Sequence, residues 1–374
     1  MTGLGRFWQR VTDGMELNQL WKEFRADARS SYGLYSREVD AAQRPGTSKG
    51  RHAFHVARQF FWAVIEKLTP ARRLLLLAAL VLLLFPNGAG VSYSNGHSNV
   101  QVGGFDGAFW GGLLLLLLLV LEIGDRVVMK RDLQIAKEIQ TWLLPGSAPE
   151  VPGLEIAFAT RPANTVAGDY YDVFARAAES GESDRFVIAV ADVAGKSVPA
   201  AMLMATFQAS LKTLARTPGS LADLVGRMNT YACSNSQNGR RFTTAFIAEY
   251  EPRSRSLTYV NAGHNPPMLR RRSGAVERLT MGGVPIGIVD GAPYEAVTVT
   301  LEAGDWLVIF TDGVTEAENV RAAEYGEARL AGVVNTNVGL APAAMLAMIM
   351  QDVDVFVGDA PQHDDVTLLL VKAV

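Results

Sequence analysis

Two leucine-rich runs constrain the N-terminal third of the chain more than any other feature. They cover Leu74–Phe85 and Leu113–Leu121, and no Lys or Arg lies between them. Each run is shorter than the ~20 apolar residues of a spanning helix. Extended to about Tyr93 for the first and over Gly107–Ile123 for the second, both become short candidate spans. The sequence predicts a transmembrane helical hairpin over residues 71–124, and the open alternative is a hairpin buried within a soluble domain.

Basic residues flank the two runs on their outer sides. Arg72 and Arg73 precede the first run, and Arg126, Lys130 and Arg131 follow the second. Because positive residues stay on the cytoplasmic side, both outer flanks are predicted to be cytoplasmic. Some seventy mostly polar and charged residues come first, which argues against a secretory signal peptide.

The charge is distributed unevenly along the chain. Residues 1–73 carry 13 Lys and Arg against 7 Asp and Glu, so they are net positive, and the remainder carries −9. An acidic main domain argues against nucleic acid as its partner. A basic segment beside apolar runs indicates a membrane surface instead. The single cysteine, Cys233, excludes an intramolecular disulfide and fits a reducing compartment.

Helical periodicity marks the segments on either side of the apolar runs. Within residues 1–70, an apolar stripe over residues 15–40 predicts an amphipathic helix. After the runs, the linker 125–144 is predicted to continue as a helix, and Pro145-Gly146 ends it. Its apolar stripe suggests a homodimer seam through 126–144. The members of that stripe are Met129, Leu133, Ala136, Gln140 and Leu143.

The remainder, residues 145–374, consists of short apolar runs separated by turn signals. Strand-like runs outnumber the helices, which are predicted near Pro199–Leu214, Leu221–Cys233 and Pro342–Phe356. Hairpin-like pairs such as Thr243–Tyr250 with Ser256–Asn261 favour antiparallel pairing. We therefore predict an α+β domain with layered antiparallel sheets.

Five aspartates lie where these strand-like runs begin or end. They are Asp169, Asp192, Asp312, Asp364 and Asp365. Brought together at one rim, their carboxylates form an all-oxygen pocket, which suits Mg²⁺ or Mn²⁺ better than zinc because no Cys or His cluster accompanies them. Two ions close together lower the pKa of a shared water and clamp a phosphate for in-line attack. In this scheme Asp192 bridges the ions and Val193 lends its backbone carbonyl.

Other chemistries fit the sequence less well. Cys233 and Arg240 are one residue too far apart for a cysteine-dependent phosphatase signature. Gly195-Lys196-Ser197 resembles the end of a P-loop, but Val190 stands where that motif needs glycine. His264 lies in a Gly/Asn/Pro turn and is read as structural rather than catalytic. Tyr170 and Tyr171 are read as packing residues.

A series of motifs, in matching order and spacing, resembles the SpoIIE-type (RsbU-like) branch of the PPM metal-dependent serine/threonine phosphatases. The likeness covers about residues 133–374. The segments that carry it are LQIAKEIQTWLLP at Leu133–Pro145, Arg161–Ala163, AGDYYDVF at Ala167–Phe174, ADVAGKSVPAA at Ala191–Ala201, Phe242–Ala245, NAGHNPP at Asn261–Pro267, GVPIG at Gly283–Gly287, TDGVTEA at Thr311–Ala317 and DDVT at Asp364–Thr367.

The resemblance implies a central β-sandwich flanked by helices and a binuclear Mn²⁺ or Mg²⁺ centre. It makes Asp192 the bridging ligand, Asp169, Asp312 and Asp364 further ligands, and Asp365 the weaker candidate of its pair. It also implies hydrolysis of phosphoserine or phosphothreonine on a STAS-domain anti-sigma factor antagonist. Together with the apolar runs and their basic flanks, this predicts a phosphatase of the bacterial inner membrane with a cytoplasmic catalytic domain. The rival is a catalytically weak, membrane-tethered binding module. Two departures concern the family's glycines, which Ala167 and Ser197 replace here.

Overall fold

The computed structural model describes residues 62, 65, 68–84, 92–95, 98–101, 106–176, 185–235, 241–280 and 282–374. The amphipathic helix predicted within residues 15–40 lies outside these residues. The chain divides into two compact units, Met1–Val127 and Val128–Val374.

In the first unit, two helices pack side by side. Helix α1 spans Pro70–Leu84, and helix α2 begins at Gly107 and ends at Leu143, in the second unit. A Cβ atom on Gly111 would lie 2.9 Å from the carbonyl oxygen of Ala79, so small residues allow the close approach. Arg72 forms an ion pair of 2.7 Å with Asp125. These two contacts lie at opposite ends of the pair, so the helices run antiparallel.

The predicted first span is corrected at its end. Tyr93 does not continue α1 but lies in strand β1, Ser92–Asn95, which pairs with β2, Ser98–Gln101. Gly96, the first of the two residues between these strands, favours a hairpin over a helix. Helix α1 has 15 residues, about 22 Å of helix against a ~30 Å hydrocarbon core. In the described part of the chain, α2 alone is long and apolar enough to cross a membrane, with a mean hydropathy of 2.1.

The predicted linker helix forms the C-terminal part of α2. The C-terminal end of its stripe, however, packs within the second unit: Gln140 is buried and Leu143 half-buried. The neighbouring face of the helix is open, with Ile135, Ile139 and Trp142 exposed. The residues proposed as a dimer seam are therefore used, at their C-terminal end, within the chain itself.

The second unit contains two five-stranded antiparallel sheets. The first sheet has the order β10-β7-β6-β5-β4 and the second β3-β12-β11-β8-β9. The strands are β3 (Leu154–Arg161), β4 (Tyr170–Arg176), β5 (Arg185–Val193), β6 (Thr243–Glu251), β7 (Ser256–Ala262), β8 (Met268–Arg270), β9 (Val276–Arg278), β10 (Val297–Thr300), β11 (Trp306–Phe310) and β12 (Val366–Ala373). The helices are α3 (Val198–Leu214), α4 (Leu221–Asn235), α5 (Asp312–Thr315), α6 (Glu327–Thr336) and α7 (Pro342–Val357).

These elements stack in four layers because the central strands are apolar on both faces. Along β5, Ile188 and Val190 enter the core between the sheets, whereas Val187 and Ala189 face α3 and α4. The second sheet packs its outer face against α6 and α7. The predicted α+β sandwich flanked by helices is confirmed, and α3, α4 and α7 lie where the sequence indicated.

Candidate metal centre

The first sheet brings two aspartates side by side. Asp192 is the penultimate residue of β5, and Asp169 immediately precedes β4. The register pairs Tyr170 with Ala191, which places Asp169 beside Asp192. The charges of the two carboxyl groups interact. Both sit on one edge of the sandwich because the antiparallel pairing of β4 and β5 ends there.

The second sheet delivers its aspartates to the same edge. Asp312 begins α5 directly after β11, and Asp364-Asp365 precede β12, the neighbouring strand. A Cβ atom on Gly313 would lie 2.0 Å from the carbonyl oxygen of Asp365. Asp312-Gly313 is therefore more than an ordinary turn, since the glycine is needed for the close approach of the two ends.

A threonine that follows β11 of the second sheet bonds to the Asp169 carboxylate of the first. Thr311 donates its hydroxyl to Asp169 Oδ2 at 2.9 Å, and the Thr367 backbone N–H donates to the Thr311 hydroxyl oxygen at 3.0 Å. The charge of Asp192 interacts with those of Asp312, Asp364 and Asp365. The fold thus gathers all five aspartates, which we call the acidic edge: Asp169, Asp192, Asp312, Asp364 and Asp365.

Burial and mutual repulsion make the acidic edge a poor place for negative charge. Burial, and then the charges of Asp312 and Asp364, raise the pKa of Asp192 from 3.8 to about 7. Burial, reinforced by Asp192, raises the pKa of Asp169 well above its usual value. The pKa of Asp312 is raised too, first by burial and then by Asp364. Ionising all of these groups requires a compensating positive charge.

The adjacent Asp364 and Asp365 have different surroundings. Asp365 accepts from the Ala163 N–H at 2.7 Å and from the Gly168 N–H at 2.6 Å, so both of its oxygens hold the loop before β4. Asp364 accepts from the Asp365 N–H and pairs with the Lys196 ammonium at 3.0 Å, with its side chain 43% exposed. This difference supports the expectation that Asp364 is the ligand of the pair.

The carbonyl of Val193 lies close to the loop that carries Asp169. A Cβ atom on Gly168 would lie 3.2 Å from this oxygen, so the loop that carries Asp169 passes directly over it. The Val193 side chain is 1% exposed and belongs to the core under α3. Only its backbone is available to a ligand.

The sequence pattern indicated Lys196 only as part of an incomplete P-loop motif, with no role at the acidic edge. Its ammonium donates to the His363 carbonyl at 2.6 Å and pairs with Asp364. Its charge also opposes the rise in the pKa of Asp312. The signal that could have found it is its position directly after the end of β5, beside Asp192. Lys196 pairs with a carboxylate here, whereas the lysine of a P-loop binds phosphate.

The alternative candidates keep structural roles. His264 is 3% exposed, its Nδ1 lies 3.2 Å from the Thr244 hydroxyl, and burial lowers its pKa to about 4. It is therefore a neutral core histidine. Cys233 lies on α4, where burial raises the pKa of its thiol, and Arg240 lies outside the described residues. Tyr170 and Tyr171 are packed in the cores on either side of the first sheet.

The two replaced glycines have different consequences. Ser197 adopts φ +66° and ψ −148°, a conformation that costs a non-glycine residue energy, and its side chain makes no capping hydrogen bond at α3. Ala167 has no such strain, since its φ is not positive. Its N–H and carbonyl both bond to Gln140 of α2, a residue that sequence reasoning placed only in the linker stripe.

The donor set suits Mn²⁺ or Mg²⁺. It consists of carboxylate and carbonyl oxygens, and its raised pKa values show a site in need of positive charge. Among the residues that the structure describes, no three His, Cys, Asp or Glu side chains surround a common point as a preformed metal site would. Two of the five aspartates have other partners in this structure. Asp364 pairs with Lys196, and Asp365 accepts from backbone amides.

Comparisons with known proteins give the family. The family Stage II sporulation protein E (SpoIIE) matches residues 182–374, just over half of the chain. Protein IcfG of Synechocystis sp. is 28% identical over 283 residues, 68% of this chain and 43% of the relative. Phosphoserine phosphatase RsbU of Bacillus subtilis is 31% identical over 194 residues, 52% of this chain and 56% of RsbU. This chain thus spans about half the length of the curated relatives it matches.

A solved structure agrees on the fold. The SiaA-PP2C domain of Pseudomonas aeruginosa superposes with a TM-score of 0.57 at 22% identity, covering 67% of this chain and 98% of the domain. At this identity the match concerns the fold, which is the two-sheet sandwich with outer helices described above. The chain belongs to the SpoIIE family, within the RsbU-type branch of the PP2C-type protein serine/threonine phosphatases.

Proposed function

We propose that the chain is a metal-dependent phosphatase that hydrolyses phosphoserine or phosphothreonine on a regulatory partner protein. The observation that carries this proposal is the convergence of Asp169, Asp192, Asp312 and Asp364 from two sheets on one edge, where burial and neighbouring charges raise the pKa values of the first three. Family membership supports it, because RsbU carries phosphoserine phosphatase in its name.

Each residue of the acidic edge has a distinct part in this proposal. Asp192, which interacts with the most carboxylates, would be the ligand shared by the metal ions, and Asp169, Asp312, Asp364 and the Val193 carbonyl would complete the set. When bound, Mn²⁺ or Mg²⁺ ions supply an activated water and charge neutralisation at the phosphate. Thr311 fixes the orientation of Asp169 by its hydrogen bond. Asp365 is assigned a supporting part rather than that of a ligand, because its two oxygens hold the loop before β4.

The proposed substrate is a phosphorylated STAS-domain anti-sigma factor antagonist, as the resemblance implies. Asp364 and Lys196, at the outer side of the acidic edge, are about half exposed. Such an open rim suits a residue presented on a protein surface better than a small molecule, which calls for an enclosing pocket.

We further propose that the chain is held in a bacterial inner membrane with its catalytic domain in the cytoplasm. The apolar half of α2 supports one span, and Arg126, Lys130 and Arg131 directly follow it. A second span over α1 would place residues 40 and 374 on the same cytoplasmic side. Reporter fusions at these two residues test the topology, and opposite locations would contradict two spans. A dimer through 126–144 is also proposed, with Ile135, Ile139 and Trp142 as its exposed residues.

The decisive experiment is hydrolysis by the full chain in detergent. We expect Mn²⁺-dependent cleavage of p-nitrophenyl phosphate, and far faster release of phosphate from a phospho-STAS protein than from free phosphoserine or nucleotides. Asp192→Asn is the negative control. Tight Mn²⁺-independent binding of the partner without turnover would favour the rival hypothesis of a binding module, with which the Lys196–Asp364 pair is compatible.

A further inference from the structure

Gln140 is a buried polar residue on an otherwise open end of α2. It is 7% exposed, whereas Ile139 is 47% and Trp142 is 78% exposed on the same turns. A buried amide must find partners for both its donor and its acceptor, since leaving either unpaired costs free energy.

Both halves of the Gln140 amide bond to one residue. Its Nε2 donates to the Ala167 carbonyl at 2.7 Å, and its Oε1 accepts from the Ala167 N–H at 2.9 Å. This is the pairing that a neighbouring strand would offer. Ala167 is itself 2% exposed, so loss of the glutamine amide would leave two backbone groups buried without partners.

The backbone between Ala167 and Asp169 is held in place by close contacts on Gly168. The Gly168 N–H donates to Asp365 Oδ2 at 2.6 Å. A Cβ atom on Gly168 would lie 3.2 Å from both the Ala200 side chain and the Val193 carbonyl. The loop is thus held from one side by α2 and from the other by the residue before β12. Any displacement of Ala167 passes directly to Asp169.

We propose that Gln140 is a positioning residue, through which α2 sets the placement of the Asp169 carboxylate and hence the metal affinity of the acidic edge. This inference rests on the proposed function for its metal, but the hydrogen bonds themselves do not. It gives the linker helix a defined point of action on the site. A shift or rotation of α2 moves the Gln140 amide, and with it the loop that carries Asp169.

The test compares two glutamines of the same helix in the full chain in detergent. Gln140→Met keeps the length and volume of the side chain but removes both hydrogen bonds, and Gln134→Met makes the same change at an exposed position. Mn²⁺ affinity is measured by titration calorimetry without substrate. Hydrogen exchange of residues 163–169 is measured by mass spectrometry in EDTA. We expect Gln140→Met to weaken Mn²⁺ binding about 10-fold and to speed exchange in this loop, with Gln134→Met matching the parent.

Two results would overturn the proposal. One is unchanged Mn²⁺ affinity and unchanged loop exchange in Gln140→Met. The other is faster exchange spread evenly over the strands of both sheets, which assigns Gln140 a general stabilising role. Should the parent fail to cleave any phosphoprotein while faster exchange stays confined to residues 163–169, the proposed function fails and the positioning role stands. If the parent is active and Gln140→Met behaves like Gln134→Met, the proposed function stands and the positioning role fails.

Discussion

The two sheets bring unlike carboxylates to the same edge of the sandwich. On the first sheet, Asp169 is 2% exposed and its neighbour Asp192 is mostly buried. On the second, Asp312 is also mostly buried, but the Asp364 side chain is 43% exposed and paired with Lys196. The inner pair therefore depends on bound cations to stay ionised, whereas Asp364 on the outer side already has the Lys196 ammonium beside it. Replacing inner and outer residues should separate metal binding from the support of the site.

The largest expected effect is on the inner side. Asp192→Asn removes the carboxylate whose charge interacts with those of Asp312, Asp364 and Asp365. We expect phosphatase activity to fall by more than about 100-fold, beyond the usual cost of losing a residue that merely supports a ligand. Steady-state hydrolysis under saturating Mn²⁺ measures it.

The matched control is Asp172→Asn. Asp172 is buried in β4 but bonds to the Tyr170 hydroxyl and Lys212, not to the acidic edge. Its activity per folded molecule should stay near that of the parent. Equal losses in both variants would show that any buried aspartate of this sheet has the same effect, and the comparison between inner and outer carboxylates would fail.

The second prediction concerns pH in the metal-free protein. The pKa of Asp192 is raised from 3.8 to about 7 by burial and by neighbouring charges. Between these values the folded protein keeps a proton that the unfolded chain has lost, so the free energy of unfolding falls as pH rises from about 4 to about 7. We expect a fall on the order of a few kcal/mol, seen as a lower Tm at pH 7.5 than at pH 5 in EDTA.

Mn²⁺ should reverse this trend, because an ion that binds only the folded protein stabilises it. Asp192→Asn cannot titrate and should flatten the slope. A Tm that rises from pH 5 to pH 7.5 in EDTA would mean that the inner carboxylates are already compensated by the protein itself, as Asp364 is.

On the outer side, Asp365→Asn should act on stability more than on chemistry. One amide N–H group of the new side chain would face a backbone N–H of Ala163 or Gly168. Losing such a charge-assisted hydrogen bond costs about 1.5–3 kcal/mol. Denaturant unfolding should show this loss, with activity reduced but measurable at saturating Mn²⁺. Complete inactivation without a loss of stability would instead make Asp365 a ligand.

The smallest expected effect is at Ser197, beside Lys196. Ser197→Gly should raise the free energy of unfolding by about 1 kcal/mol, because glycine adopts φ +66° and ψ −148° without strain. Ser197→Ala retains the strain and serves as the control. If the two variants are equally stable, the turn between β5 and α3 carries no strain.

The sequence alone determined much of the fold. Apolar residues on both faces of short strands required two covered sheets, and their antiparallel order followed from the hairpins. The aspartates were predicted at strand ends, and the structure places them there. Helix α2 followed from local periodicity. These features depend on residues close together in the chain, which is why a pattern of period two or four reveals them.

The end of α1 was less predictable. The extension of its apolar run to Tyr93 was based on hydrophobicity alone. In the structure, Ser92–Asn95 pairs with Ser98–Gln101. The backbone hydrogen bonds of a hairpin there outweigh the weak apolar character of the segment.

The tertiary structure alone decided the partners of Gln140 and Asp365. Periodicity placed Gln140 on the same face as Leu143, but it could not show whether a second copy or Ala167 covers that face. Asp364 and Asp365 are adjacent residues of the same type. Asp365 nevertheless accepts hydrogen bonds from Ala163 and Gly168, 202 and 197 residues away. The spacing of residues along the chain indicates which of them share a face of a helix or strand. What lies against that face is set by contacts between distant segments, which exist only once the two sheets have packed together.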